Sequence, residues 1–232
     1  MLVAIHQPHY LPWLRYIEKI ARADVFILLD DVHFTKNGWQ NRNRIKTVNG
    51  PALLTVPVYQ KAEQRLHEVR INNETRWREK HRRTIEQAYV RAPYFGDLMP
   101  GVTEIYAADY DRLVDLNDRM LRFFLETMNV KTRIHRATDL AVPGAATDRL
   151  VNLIRAVGGD TYYSGAYALD VYLDANALAN AGIALELQQW HAPVYPQRHG
   201  EFVADLSVLD LLMNCGRDST EVLLGKTPKP AV

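Results

Sequence analysis

The sequence predicts a three-layer α/β sandwich with a mostly parallel sheet and an added helical segment. Short apolar runs alternate with amphipathic stretches along the chain, and the first two runs flank a single helix within residues 2–29. Polar turns follow the runs at their carboxyl ends. A strand, a helix and a second strand in so short a span join parallel neighbours.

The elements run in order along the chain. Leu2 to Ile5 is a short apolar run stopped by His6-Gln7-Pro8-His9, which reads as a buried strand leaving into a turn. Pro12 suits the first turn of a helix whose apolar side carries Leu14, Tyr16, Ile17 and Ile20. Asp24 closes that helix, and Val25 to Leu29 is the second buried strand. Asp30 to Asn49 is polar and reads as a long functional loop. Leu53 to Val58 resembles a strand. Asn73 to Val90 has helical spacing opposite a charged face, on which His81 stands with Arg78, Lys80, Arg82 and Arg83 as a solvated cluster. Tyr110 to Met128 is a second long helix. Asp148 to Val157 is helical and stops at Gly158-Gly159, a natural cap. Thr161 to Tyr163 is a strand ending at Ser164-Gly165, Leu169 to Ala179 a helix, Ile183 to Leu187 a strand, and Leu206 to Asn214 a closing helix. The pattern is expected to form one α/β domain over 1–225, with a helical insertion at about 73–130 and a mobile tail over 226–232.

The bulk properties narrow the function. A chain of 232 residues buries about 70% of its unfolded surface without disulfide or metal help. Basic and acidic residues number 28 and 27, so the net charge of +1 removes the global argument for nucleic-acid binding. Cys215 has no second cysteine to pair with and is expected to be structural. No apolar window approaches the roughly 20 residues of a membrane span, and the N-terminus has no basic region of the signal-peptide kind. A cytoplasmic protein is expected.

In a parallel α/β sheet, ligands bind beyond the carboxyl ends of the strands. His6 to Pro8, Asp30-Asp31 and Ser164-Gly165 all follow expected strands, and this convergence points to an enzyme. His6 titrates near neutrality and suits proton transfer, with His9 a weaker candidate. Asp30 and Asp31 orient a histidine, hold sugar hydroxyls or Mg²⁺, or simply cap the next turn of chain. His33 stands close behind, yet no metal-ligand spacing supports a metal site. Lys36 to Arg44 holds three cations, three asparagines, a glutamine and an indole. Lys36, Arg42 and Arg44 neutralise phosphate, Asn41 reads a hydroxyl, and Trp39 offers a flat face to a base or sugar. Gln7, Tyr10 and Ser164 complete the candidate ligand set. Tyr195-Pro196-Gln197, with His191 and His199, reads as a second polar, aromatic loop.

The stretch IHQPHYLPWLRYIEKIARADVFILLDDVHFTKNGWQNRNRIK is similar to the opening of the WbqC-like family. LLTVPV, RAPYF, TYYSGAYALDVYLD, PVYPQRHGEF and LSVLDLLMNCG resemble its later parts, so the resemblance covers nearly the whole chain. It implies a role in surface-polysaccharide (O-antigen-type) biosynthesis, in making or decorating an activated sugar at an amino group. A weaker resemblance, in Gln7 to Leu14 and Ala23-Asp24-Val25, is to HIGH-type nucleotidylyltransferases. It implies a Rossmann-like, HUP-type version of the sandwich. Tyr10 and Trp13 stand where that motif has its phosphate-binding histidines, and no KMSKS-like loop follows.

The leading expectation is a transferase that acylates or aminoacylates the amine of a nucleotide-linked amino sugar. His6 would serve as base, Asp30 or Asp31 as its orienter, and a CoA or carrier protein as the acyl donor. No cofactor is firmly implied. The alternatives are a nucleotidylyl-transfer or adenylate-forming enzyme using ATP and Mg²⁺, and a non-catalytic module binding a sugar nucleotide or carrier protein.

Overall fold

The computed structural model describes residues 1–171 and 173–225; the tail expected over 226–232 lies outside them. β1 (Leu2–His6) leads through α1 (Leu14–Arg22) to β2 (Val25–Leu28). The next, polar stretch contains a hairpin, β3 (Arg42–Thr47) and β4 (Gly50–Thr55), then a short pair, β5 (Val58–Tyr59) and β6 (Arg70–Ile71). Helices α2 (Trp77–Tyr89), α3 (Phe95–Ala107) and α4 (Leu113–Thr127) come next. The chain then forms β7 (Arg133–Arg136), α5 (Ala137–Leu140), α6 (Ala146–Ala156), β8 (Thr161–Ser164), α7 (Tyr167–Val171), α8 (Ala175–Asn180) and β9 (Ala184–Leu187). α9 (Val208–Cys215) and α10 (Ser219–Leu223) close the described chain.

The described residues divide into two compact units. The first comprises Met1–Pro8, Glu18–Val32 and Lys131–His191; the second comprises His9–Ile17, His33–Val130 and the chain from Ala192 onward.

The first unit is the α/β sandwich, Rossmann-like in its layers. Among the described residues its sheet has five strands in the order β7-β2-β1-β8-β9, every neighbouring pair parallel. The pleat sends alternate residues to opposite faces. Val3, Ile5, Val25, Ile27 and Tyr162 pack on one face with Leu150, Val151, Leu153 and Ile154 of α6 and with Leu178 of α8. Tyr163 points the other way and bonds Glu18 of α1. Parallel sheets covered on both faces read as continuous apolar runs, as β1 and β2 do.

From β1 the chain adds β2 and β7 on one side, then β8 and β9 on the other. The strand order therefore reverses between β1 and β8. Gly158 ends α6 at φ +76, as its sequence position leads one to expect. Gly159 then passes so close to β1 that a Cβ would stand 2.4 Å from Val3 Cγ2. An expected helix over Leu169 to Ala179 is instead two short helices. The second is capped by Asp174, whose carboxylate accepts from Asn176 N and Ala177 N.

The second unit packs α2, α3, α4 and α9 with the β3–β4 hairpin. β3 lies within the stretch expected to be loop, while β4 overlaps the strand expected over Leu53 to Val58. Asn43 and Ile45 are fully buried and alternate with half-buried Arg42 and Arg44, a strand alternation hidden by the polar identity of Asn43. Its amide donates to Leu11 O at 2.6 Å and its carbonyl accepts from Arg44 N at 2.8 Å. Lys46, 1% exposed, donates to Gln197 Oε1, Gly200 O and Glu201 O. Tyr89 and Tyr195 both donate to the buried Asp210 carboxylate, at 2.8 and 2.9 Å. Cys215 is buried, and burial, with Asp210 and Asp218 adding, lifts its thiol to about 11.

Candidate functional site

The parallel register aligns the carboxyl ends of the strands in the first unit. Leu28 pairs with both Arg136 and His6, and Ala4 with Tyr163. Continuing the β1–β8 register by two residues sets His6 opposite Gly165. Continuing the β8–β9 register, in which Ser164 pairs with Leu187, sets Gly165 opposite Gln188. His6, Gly165 and Gln188 therefore share the face that Tyr163 presents to α1. Lys19 on α1 is 7% exposed, and its ammonium acts electrostatically on His6. A Cβ placed at Gly165 would lie 3.8 Å from Lys19 Nζ and 4.0 Å from Gln188 Oε1.

His6 is half-buried. Its Nδ1–H donates to Gln7 O at 3.2 Å, which makes Nε2 the lone-pair nitrogen of the neutral ring. Burial first and the Lys19 charge second lower its pKa from 6.5 to about 3, although the Gln7 bond opposes them. The ring is thus neutral at physiological pH. Glu18, wholly buried, accepts from Tyr163 Oη at 3.2 Å and is bonded by Arg22 and by Gln188 Nε2. Ser164 is buried, and its carbonyl accepts from Gln188 N at 2.7 Å.

Asp30 stands at the end of β2, with its two oxygens accepting from Thr138 N at 3.0 Å and Thr138 Oγ1 at 2.7 Å. It holds the first turn of α5. Asp31 forms an ion pair with Arg149. The structure thus brings His6, Gln7, Asp30, Asp31 and Ser164 to the carboxyl rim of one sheet. It adds Lys19, which a sequence reading passes over because a charged residue within an amphipathic helix looks solvent-facing. Among the described residues, no group of three or more His, Cys, Asp and Glu is placed to hold a metal ion.

The second unit holds Tyr10, Lys36, Trp39, Asn41, Arg42 and Arg44. Trp39 is 36% exposed, with the Arg44 guanidinium 5.9 Å from its ring centroid and Trp13 meeting it edge-on at 5.1 Å. His9 meets Trp13 in turn at 5.1 Å. Lys36 is exposed, and Arg42 bonds Asn37 O. Asn41 is buried, its amide donating to Val56 O at 2.8 Å. Tyr10 is fully buried; its hydroxyl bonds His81 Nδ1 at 2.8 Å and the Tyr106 hydroxyl.

His81 corrects the expectation of a solvated cluster on its helix. It is 3% exposed, aligned with Trp77 and Ile85 on the buried stripe of α2. Burial, then Lys80, lowers its pKa to about 4 against a bond to the Thr55 backbone. The loop after β9 is fixed by its own polar groups: Gln197 bonds Lys46 and Val203, and His199 Nε2–H donates to Ala88 O at 2.7 Å.

The parallel order, its reversal between β1 and β8, and the helices packed on the sheet define a Rossmann-like α/β protein. The particular relationship is closer than fold. The chain belongs to the WbqC-like protein family, whose sequence model matches residues 7–222. It is also 34% identical over 225 residues to the uncharacterized protein Rv1507c of Mycobacterium tuberculosis, covering 95% of this chain and 96% of that protein. Among the described residues, no helix is long and apolar enough to cross a membrane.

Proposed function

We propose that the protein is a biosynthetic transferase that acylates or aminoacylates the amine of a nucleotide-linked amino sugar. The observation that carries this reading is the meeting of His6, Lys19 and Ser164-Gly165 where the strand order reverses, the place at which open α/β sheets take nucleotides. Membership of the WbqC-like family supports the biosynthetic setting.

In the reaction the sugar amine attacks the acyl carbonyl carbon and a C–N bond forms. The bond to the donor's thiol or phosphate breaks, and its electron pair leaves with the donor. The proton lost by nitrogen goes to His6 Nε2. At a pKa of about 3 the free enzyme's imidazole is a weak acceptor. The substrate's diphosphate opposes the positive charge of Lys19 and raises the imidazole toward a useful basicity. Asp30 and Asp31 position the rim through Thr138 and Arg149. The second unit carries its own ligand surface in Trp39, Arg44, Arg42 and Lys36, suited to a planar ring and negative charge.

A thermal-shift screen against dTDP- and UDP-amino sugars, their hydroxyl analogues, acyl-CoA, and ATP with Mg²⁺ tests the reading. A ligand at about 100 times its Kd adds roughly 2.7 kcal/mol, a shift of about 5–10 °C for a chain of this size. The expected result is a larger shift with the amino sugars than with their hydroxyl analogues. A shift with ATP and Mg²⁺ alone would instead favour nucleotidylyl transfer.

A further inference from the structure

In the second unit, residues 197–207 are fastened to β3. Lys46 Nζ donates to Gln197 Oε1 at 3.2 Å, to Gly200 O at 3.3 Å and to Glu201 O, and Ser207 N donates to Arg44 O at 2.9 Å. Gln197 makes two further bonds with Val203, and His199 Nε2–H donates to Ala88 O. The side chains on either side of Arg198 are thus committed to the unit's own polar groups. Arg198 itself is half-buried and makes no hydrogen bond, ion pair or ring contact among the described residues. Its Nε is withdrawn from water without an acceptor.

Among the described residues, Arg44, Arg78 and Arg149 share that orphaned Nε. Arg78 and Arg149 are neutralised by Asp109 and Asp31. Arg44 is not: its Nη2 donates to the main-chain oxygen of Asp205 at 3.4 Å, and no carboxylate among the described residues pairs with it. A guanidinium partly withdrawn from water attracts an anion strongly, and it offers phosphate two parallel N–H bonds. Trp39, 36% exposed, lies under the Arg44 guanidinium. Its loop is held by Tyr10 N donating to Trp39 O and Thr35 N to Gln40 Oε1. A rigid surface with an indole and two unneutralised guanidiniums suits a ligand that carries a planar base and phosphates. Activated acyl donors with both parts are coenzyme A thioesters and acyl adenylates. We propose that Arg44, Arg198 and Trp39 form the site of such an adenine-nucleotide donor. The arginines hold its phosphates, Trp39 meets its base, and Lys46 positions the Arg198 loop. In the transfer the acyl carbon passes to the sugar nitrogen, and coenzyme A or AMP departs. The inference rests on the transferase reading and selects a nucleotide-linked donor over a carrier protein.

The experiment is isothermal titration of the full chain with coenzyme A and, separately, with AMP, which tells the two donors apart. It uses the wild type, Arg198→Gln, Arg44→Gln and Arg91→Gln, after thermal melts establish that each variant folds. Arg91→Gln removes the same charge from an exposed position elsewhere on the unit. Arg198→Gln is the variant least able to disturb the fold, since it breaks no bond among the described residues. The expected result is that one nucleotide binds the wild type and Arg91→Gln alike, and binds Arg198→Gln and Arg44→Gln at least tenfold more weakly. Failure of the wild type to bind either nucleotide at millimolar concentration, or equal binding by all four proteins, overturns the site. Acyl transfer from a carrier protein but from neither nucleotide conjugate overturns it as well. If the nucleotide binds as expected but no acyl group reaches a UDP-amino sugar, the transferase reading fails and the nucleotide site stands. If acyl groups reach the UDP-amino sugar equally well in all four proteins, the site fails and that reading stands.

Discussion

At His6 the imidazole is neutral because the protein around it is a poorer solvent for charge than water, and because Lys19 repels a proton. Its titration by nuclear magnetic resonance checks this directly. In the free protein the ring should keep the shifts of a neutral imidazole down to about pH 4, and saturating pyrophosphate should move the midpoint upward. A midpoint near 6.5 in the free protein would remove the argument. Tyr163 offers a second residue-scale test. Tyr163→Phe withdraws one of the donors to the buried Glu18 and should cost about 1–3 kcal/mol in urea unfolding. His6 and Ser164 were legible in the sequence because polar residues after apolar runs mark strand ends. Lys19 was not, since nothing local distinguishes an inward lysine from an outward one. His81 sits between these cases: Trp77, His81 and Ile85 keep helical spacing, but the flanking cations obscure the stripe.

The elements divide along similar lines. β1 and β2 were legible because buried parallel strands are apolar, and β8 and β9 because turn residues bound their short runs. β7, with the sequence RIHR, was not. This edge strand is paired on one side only, and its charges, which discourage pairing with other chains, mask its apolar signature. β3 escaped for another reason: its buried face includes Asn43, which resembles a loop residue until its two backbone bonds are seen. Asn43→Ala should leave Leu11 O and Arg44 N without those partners and cost about 1–3 kcal/mol, measured by denaturant titration. In the first unit, Gly159→Ala should destabilise by a similar amount, about 1–3 kcal/mol, because the added carbon collides with Val3 and Ile154. Unchanged midpoints would contradict these contacts.

For the molecule as a whole, each unit contains a histidine held neutral by the fold: His6 in the first, at about 3, and His81 in the second, at about 4. Both folded values lie below the unfolded value of 6.5. Between them the unfolded chain binds protons that the native protein refuses, so stability from these groups is complete above pH 6.5 and is lost as pH falls toward 4. Urea midpoints across pH 4–7 should therefore decline on the acid side. His6→Gln and His81→Gln should each flatten part of that decline, and parallel curves for all three proteins would refute the assignment. The layered parallel sheet could be read from sequence because it follows local periodicity. The division into two units could not, since it depends on contacts between segments far apart in the chain.

The central position of β1 also sets a schedule for synthesis. Its residues emerge well before those of β8, and β2 can join it soon afterward. The strand that completes its other side begins at Thr161. At ribosomal speeds of about 5–20 residues per second, that flank of β1 waits roughly 10–30 s for its partner. During that interval the half-made sheet presents unpaired backbone N–H and C=O groups to any passing chain. The requirement for chaperone protection should therefore be concentrated before β8 leaves the ribosome.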